Sequence, residues 1–175
     1  VADVESEVTW TEVFLELRQR GVRGVQWVVS DGHQGIQNAV ATQWPGAAWQ
    51  RCWTHFMRNV LAKVRHQHKE ALAKELCGAR TFDDIRVCLA EAERIAERWQ
   101  RQYPRVAAQV RSQFEETLAT HALPNACRRR VYTSNMMERV MREIKRRTDV
   151  VGIFPNASSA DRLIGARLLE RHEAW

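Results

Sequence analysis

Two acidic residues stand where a carboxylate can do chemistry. Asp31 closes the apolar run VQWVVSD, which has the composition of a short buried strand. In open α/β sheets the carboxyl ends of the strands are where ligands bind. A solvent-facing carboxylate at that edge can coordinate a hard cation such as magnesium. The same residue also reads as a turn aspartate that bonds nearby backbone amides. Glu138 lies near the start of the run NMMERVMREIKRR, with Arg139, Arg142, Lys145, Arg146 and Arg147 behind it. Near a helix N-terminus and among cations a carboxylate stays ionised, as a metal ligand must. A plainer role competes: Arg142 lies four residues on, and such a pair stabilises a helix by roughly 0.2–0.5 kcal/mol.

The cations carry the same ambiguity. Arg128, Arg129 and Arg130 precede the helix, so eight cations fall within residues 128–147. They could form a solvated face that Glu138 and Glu143 partly neutralise. A cluster this dense also suits a phosphate backbone, for which Arg139, Arg142, Lys145, Arg146 and Arg147 are the candidate contacts. Upstream, RCWTHFMRN sets Cys52 and His55 three apart, followed by Arg58 and Asn59. A structural zinc site needs four ligands. His66, His68 and Cys77 supply no second pair at a known spacing, so the plain readings are a buried thiol and a hydrogen-bonded histidine at a helix start.

The elements that must hold these groups follow from periodicity. TWTEVFLELRQRG places Trp10, Val13, Phe14 and Leu17 on one helical face, and Gly21 stops it. The Asp31 strand comes next, then a helix over QGIQNAVATQW closed by Pro45 and Gly46, then a short strand at AAWQRC. Helix, strand, helix, strand indicates an α/β core. From Thr54 to Ala126 the pattern is helical throughout. Ile85, Cys88, Leu89, Ala92, Ile95, Trp99 and Tyr103 recur every three or four positions. Pro104 breaks that run, Val106, Val110, Phe114 and Leu118 mark a further helix, and Pro124 and Asn125 mark the exit. Asn135 with Glu138 three residues later reads as a capping-box-like start. The basic helix is expected to run to Arg147, with VVGIFPN as a loop. Asn156 or Ser158 would cap a last helix through Leu163, Ile164 and Leu168. The chain therefore divides into 1–53, part of an α/β core; 54–126, a helical insertion; and 127–175, the rest of the core with the Glu138 helix.

Bulk properties bound the partners. The chain has 175 residues and a formal charge of +6, with a pI near 9.6. That length buries a real core, and that charge favours a polyanionic partner. Seven tryptophans serve either as core anchors or as stacking platforms. The four cysteines show no paired framework and no signal-peptide pattern precedes them, so a reducing, cytoplasmic setting is expected. No apolar run reaches membrane-span length. The start at Val1 rather than Met is that expected of a piece of a longer protein.

In order, VVSDGHQGIQNAV, WQRCWTHFMRNVL, YTSNMMERVMREIKRRT and GIFPN resemble the bacterial Mutator-type insertion-sequence transposases, which share a DDE catalytic core. The match runs from about Glu5 to Trp175. The resemblance implies an incomplete ribonuclease H-like core with an all-helical insertion before the last catalytic acid. It implies two aspartates and a glutamate holding two divalent ions, Mg2+ or Mn2+. Asp31 matches the second aspartate and Glu138 the glutamate, while the first aspartate falls upstream of residue 1. Cys52, His55 and Asn135 belong to motifs near that site, and Arg58 joins the basic helix as a DNA contact. The implied reaction cuts transposon-end phosphodiesters and joins the freed 3′-hydroxyl to target DNA. The implied setting is a homodimer or higher assembly on DNA in the bacterial cytoplasm, nucleoid-associated when bound. The alternatives are a non-catalytic DNA-binding or regulatory fragment of a truncated transposase, a metal-dependent nuclease without strand joining, and a helical module that pairs with an acidic protein.

Overall fold

The computed structural model describes residues 6–173; the side chains of Arg129 and Arg130, both in the predicted basic cluster, and Trp175 lie outside what it describes. The fold divides after Thr133 into two compact units.

The first unit opens with α1 (Glu7–Gln19), capped by Ser6, whose Oγ accepts from the Thr9 amide at 3.2 Å. Gly21, at φ 97°, reverses the chain after it, a backbone angle that glycine adopts without Cβ strain. Strand β1 (Trp27–Ser30), helix α2 (Gln34–Gln43) and strand β2 (Ala48–Arg51) follow. The strands pair in parallel, with Trp27 opposite Ala48 and Ser30 opposite Arg51. A helical crossover is what a parallel pair requires. Phe14, Ile36, Ala39 and Val40 are buried between α1, α2 and the sheet, with Trp10, Leu17 and Trp44 packed around them. The Phe14 and Trp44 rings pack tilted at 38°, 4.5 Å between centroids. Val13, expected on the buried face, is 40% exposed, because that face is narrower than the apolar pattern suggests.

The larger core is helical. It comprises α3 (Trp53–Leu61), α4 (His66–Ala79), α5 (Ile85–Gln100) and α6 (Pro104–Gln113), then two short 3-10 turns (Glu115–Thr117 and Ala119–Ala122) and α7 (Asn125–Val131). Leu72, Leu76 and Ala79 of α4 and Cys88, Ala92, Ile95, Ala96 and Trp99 of α5 are buried. These are the i, i+3/i+4 positions of an amphipathic helix. Trp53, Phe56 and Phe114 form an aromatic group at its centre, 5.5–6.2 Å apart. Pro104 begins α6 rather than merely ending α5, since its missing amide proton costs nothing at a first helical position.

The second unit pairs α8 (Asn135–Val151) with α9 (Ala157–Glu173). Asn156 caps α9, its Oδ1 accepting from the Ser159 amide at 2.9 Å. At α8 the N-cap is Ser134, not Asn135, which is the first helical residue. The helix runs four residues past Arg147, through Val150 and Val151, to Gly152 at φ 72°. No helix among the described residues is long and apolar enough to cross a membrane.

Glu143 ties this unit together. Arg146 and Arg147 of its own helix and Arg167 of α9 all donate to its carboxylate at 2.8–3.1 Å. Hydrogen bonds from Arg146 and Arg147 pull its pKa from 4.5 to about 2. A carboxylate with a depressed folded-state pKa contributes stability that is complete above its unfolded pKa and lost as pH falls through the folded one. Acid titration followed by circular dichroism should therefore show loss of helix between pH about 4.5 and 2. Glu143→Gln should remove that contribution and flatten the transition.

Candidate active-site cleft

The register of the sheet builds the site. Ser30 pairs with Arg51, so the next residues, Asp31 and Cys52, leave the sheet at the same carboxyl edge. The Cys52 amide donates to the Ser30 carbonyl at 2.6 Å and closes that edge. Beyond Asp31 the chain turns at once into α2. His33 caps that helix, with Nδ1 accepting from the Gly35 amide at 3.1 Å. Asp31 Oδ1 accepts from the His33 amide at 3.4 Å, the local bond expected of a turn aspartate. Asp31 is nevertheless only partly buried. It lines a polar cleft of about 620 Å3 with His33, Arg51, His55, Asn59 and Lys63.

The floor of this cleft is fixed from beneath. Arg51 is buried, and both its Nε and Nη2 lie 2.5 Å from Glu116 Oε2. Its guanidinium also sits 5.6 Å from the Trp49 ring centre. A Cβ on Gly32 would collide with that guanidinium, so glycine follows Asp31 because an arginine occupies its side-chain space. Beside it, Gln50 is fully buried and fully used. Its Nε2 donates to Arg51 O at 2.9 Å and Thr117 O at 2.7 Å, and its Oε1 accepts from the Thr120 amide at 2.9 Å. On the far wall Lys63 Nζ donates to Gln109 Oε1 at 2.5 Å, and Gln109 Nε2 to Gln113 Oε1 at 3.1 Å.

Asp31 and His55 thus meet in one cleft, and Asn59, one residue past Arg58, lines it too. Cys52 is fully buried as the N-cap residue of α3, and its Sγ lies 3.5 Å from Thr133 Oγ1. Neither His66, His68 nor Cys77 joins Cys52 and His55 in a cluster of ligand atoms among the described residues. His68 instead bonds the Tyr103 hydroxyl at 2.8 Å and packs edge-on against Trp99. All four cysteines are free thiols.

Glu138 and Asn135 lie in the second unit, in the first turn of α8. Ser134 Oγ donates to Glu138 Oε1 at 3.4 Å. The Glu138–Arg142 ion pair that the spacing allows does not form: among the described residues Arg142 has no carboxylate within ion-pair distance. Arg139, Arg142 and Lys145 are exposed. Arg146 and Arg147 are not equivalent to them, being already folded onto Glu143. Sequence reasoning missed Gly32, Arg51 and Lys63 as parts of the cleft. The SDG block was a signal for the first, but Arg51 and Lys63 come to the cleft only through tertiary packing.

The model of the family described as "Transposase, Mutator family" matches residues 1–175. The chain belongs to that family. It is 38% identical over its whole length to the transposase for insertion sequence element ISRM5 of Rhizobium meliloti, covering 44% of that protein. It is 35% identical, again over its whole length, to the transposase for insertion sequence element IS1081 of Mycobacterium tuberculosis, covering 42%. Over 98% of its length it is 33% identical to the transposase for IS256 in transposon Tn4001 of Staphylococcus aureus, covering 44%. This Mutator-family chain therefore spans less than half the length of these curated relatives.

The cleft floor of the family member is open to test. Gly32→Ala should displace the Arg51 guanidinium and cost about 1–3 kcal/mol of stability through its charge-assisted bond to Glu116. In urea unfolding, the same change made in an Arg51→Met background should cost markedly less, because the two residues share one space.

Proposed function

We propose that this chain is part of the catalytic core of a DNA transposase, which cuts phosphodiesters at transposon ends and transfers the strand to target DNA. The observation that carries the reading is the placement of Asp31. It stands at the carboxyl edge of a parallel sheet, in an open polar cleft with His55, Asn59 and Lys63. Family membership and the printed names of the relatives support it. In this reading β1, α2 and β2 belong to a ribonuclease H-like core, and residues 54–126 are a helical insertion in it.

The proposal calls for divalent cations, Mg2+ or Mn2+, and the donor set suits them. Asp31 and Glu138 offer hard carboxylate oxygens, and Asp31 faces an open cleft. When bound, two such ions activate the attacking oxygen and stabilise the leaving oxygen of an in-line displacement. The protein's own part is positional. Arg51, packed under Gly32, holds the turn that aims Asp31. Lys63 at the cleft and Arg139, Arg142 and Lys145 on the exposed face of α8 take up phosphate charge, giving affinity that falls with salt and carries little base specificity. Water opens the phosphodiester and frees a 3′-hydroxyl, which then attacks a second strand, so no covalent enzyme intermediate is required. Acting on paired ends calls for two or more copies on DNA.

The test uses the complete protein that carries this chain, with element-end DNA and Mg2+ or Mn2+. Nicking and strand joining should occur in the parent and fall by at least about a thousandfold in Asp31→Asn and Glu138→Gln, on the scale of losing a principal catalytic group. Cleavage at the parent rate by either variant would remove that residue from the site. A folded parent that binds DNA but cuts nothing would mark a regulatory DNA binder instead.

A further inference from the structure

A second cavity in the first unit, of about 520 Å3, lies among the end of α4, the 3-10 turns and α7. Arg80, Thr81, Asp83, His121, Asn125 and Arg128 line it, with Tyr132. It shares no lining residue with the Asp31 cleft. We propose that this cavity binds a phosphate group of a nucleic-acid strand, with Arg80 and Arg128 as the anion ligands.

Arg80 is a guanidinium in an unusual position. It lies 4.5 Å from the ring centre of Tyr132 and 5.2 Å from that of Trp53. Among the described residues it has no carboxylate within ion-pair distance, unlike Arg51, Arg98, Arg111 and Arg128. Its hydrogen bonds are long: Nε to Thr117 O at 3.4 Å and Nη2 to Thr120 Oγ1 at 3.3 Å. A guanidinium has five N–H donors, so most of its capacity is unspent. Burial pushes its pKa below the ordinary value; Tyr132, Cys77 and Cys88 offset part of that, and Arg128 adds a small lowering. A partly buried cation is costly, and an anion seated beside it in the cavity relieves that cost. Arg128 is held ready by bonds to the carbonyls of Leu123 at 2.9 Å and His121 at 3.0 Å. Its carboxylate partner, Asp83, is 78% exposed at the rim and 3.0 Å away. The cavity thus sets two guanidiniums against one outlying carboxylate. Thr81 and Asn125 line the cavity with donors already engaged, the Thr81 hydroxyl on Gly78 O at 2.7 Å and the Asn125 amide on Asp83 Oδ1 at 3.4 Å. The volume exceeds what a lone phosphate fills and leaves room for the sugar attached to it.

The plain alternative makes Arg80 a helix terminator. It is the C-cap residue of α4, where a cation is favoured by the helix dipole, and its bonds reach the 3-10 turns. That role predicts lost stability on substitution and no change in anion binding. The choice of DNA as the source of the phosphate rests on the proposed transposase function; the anion site itself does not.

The experiment compares the parent with Arg80→Gln, Arg128→Gln, Arg80→Lys and an exposed control, Arg101→Gln. Thermal unfolding first shows that each is folded. Fluorescence anisotropy then measures binding to a labelled DNA duplex across a salt series. Arg80→Gln and Arg128→Gln should each weaken binding about tenfold and lower the slope of log K against log salt by about one. Arg80→Lys should keep most of the slope, and Arg101→Gln should match the parent. Inorganic phosphate at millimolar concentration, read as a rise in Tm, tests the anion site without DNA. Folded Arg80→Gln and Arg128→Gln proteins that bind DNA with the parent's affinity and slope overturn the proposal and leave the transposase reading intact. A parent that binds no DNA but gains phosphate stabilisation through Arg80 overturns the nucleic-acid source and the transposase reading together.

Discussion

Strand β2 presents two polar side chains to the interior, and the first unit is arranged around satisfying them. Gln50 and Arg51 are both buried. A buried amide without partners costs about 1–3 kcal/mol, and an unpaired buried charge costs more. The segment after α6 meets that demand. Thr117 and Thr120 bond the Gln50 amide, and Glu116 takes the Arg51 guanidinium. That explains why the chain tightens into 3-10 turns there rather than continuing α6. One short stretch must deliver a carboxylate, a carbonyl and an amide to a strand 65 residues or more away. The helical block is thereby anchored to the sheet edge that carries Asp31. Its own apolar core would hold it together but would not fix its register on the sheet.

Much of this was legible in the sequence, where short-range pattern decides structure. The alternation of helix and strand through residue 52 and most of the buried face of α5 follow from periodicity, though Ile85, expected on that face, is 37% exposed. End signals left Asn156 and Ser158 as alternative caps, and Asn156 takes the place. Asp31 at a strand end was legible for the same reason. The demands of β2 were not, because Gln50 and Arg51 sit in a run whose alternation could face either way, and their partners are remote. Five of the tryptophans took the core role in which their size is best used: Trp53 and Trp99 are buried, and Trp10, Trp44 and Trp49 pack against the Phe14 cluster.

The basic helix shows where spacing alone misleads. Glu138 and Arg142 stand at the right interval yet do not pair, whereas Glu143 gathers Arg146, Arg147 and Arg167. Glu143 has cations at i+3, at i+4 and on a second helix, so a single carboxylate gathers three guanidiniums. Five cations that look alike in the sequence therefore fall into two groups, one serving the fold of the α8–α9 pair and one presented outward.

The sheet has a consequence of a different kind. Among the described residues it has two strands, paired in parallel over four residues each. Parallel pairs of that size do not stand alone in water, and among the described residues each outer margin has no strand beside it. Such margins are templates for extended chain. The sheet can thus grow sideways without disturbing Asp31, since added strands lie beside the pair and not across its carboxyl edge.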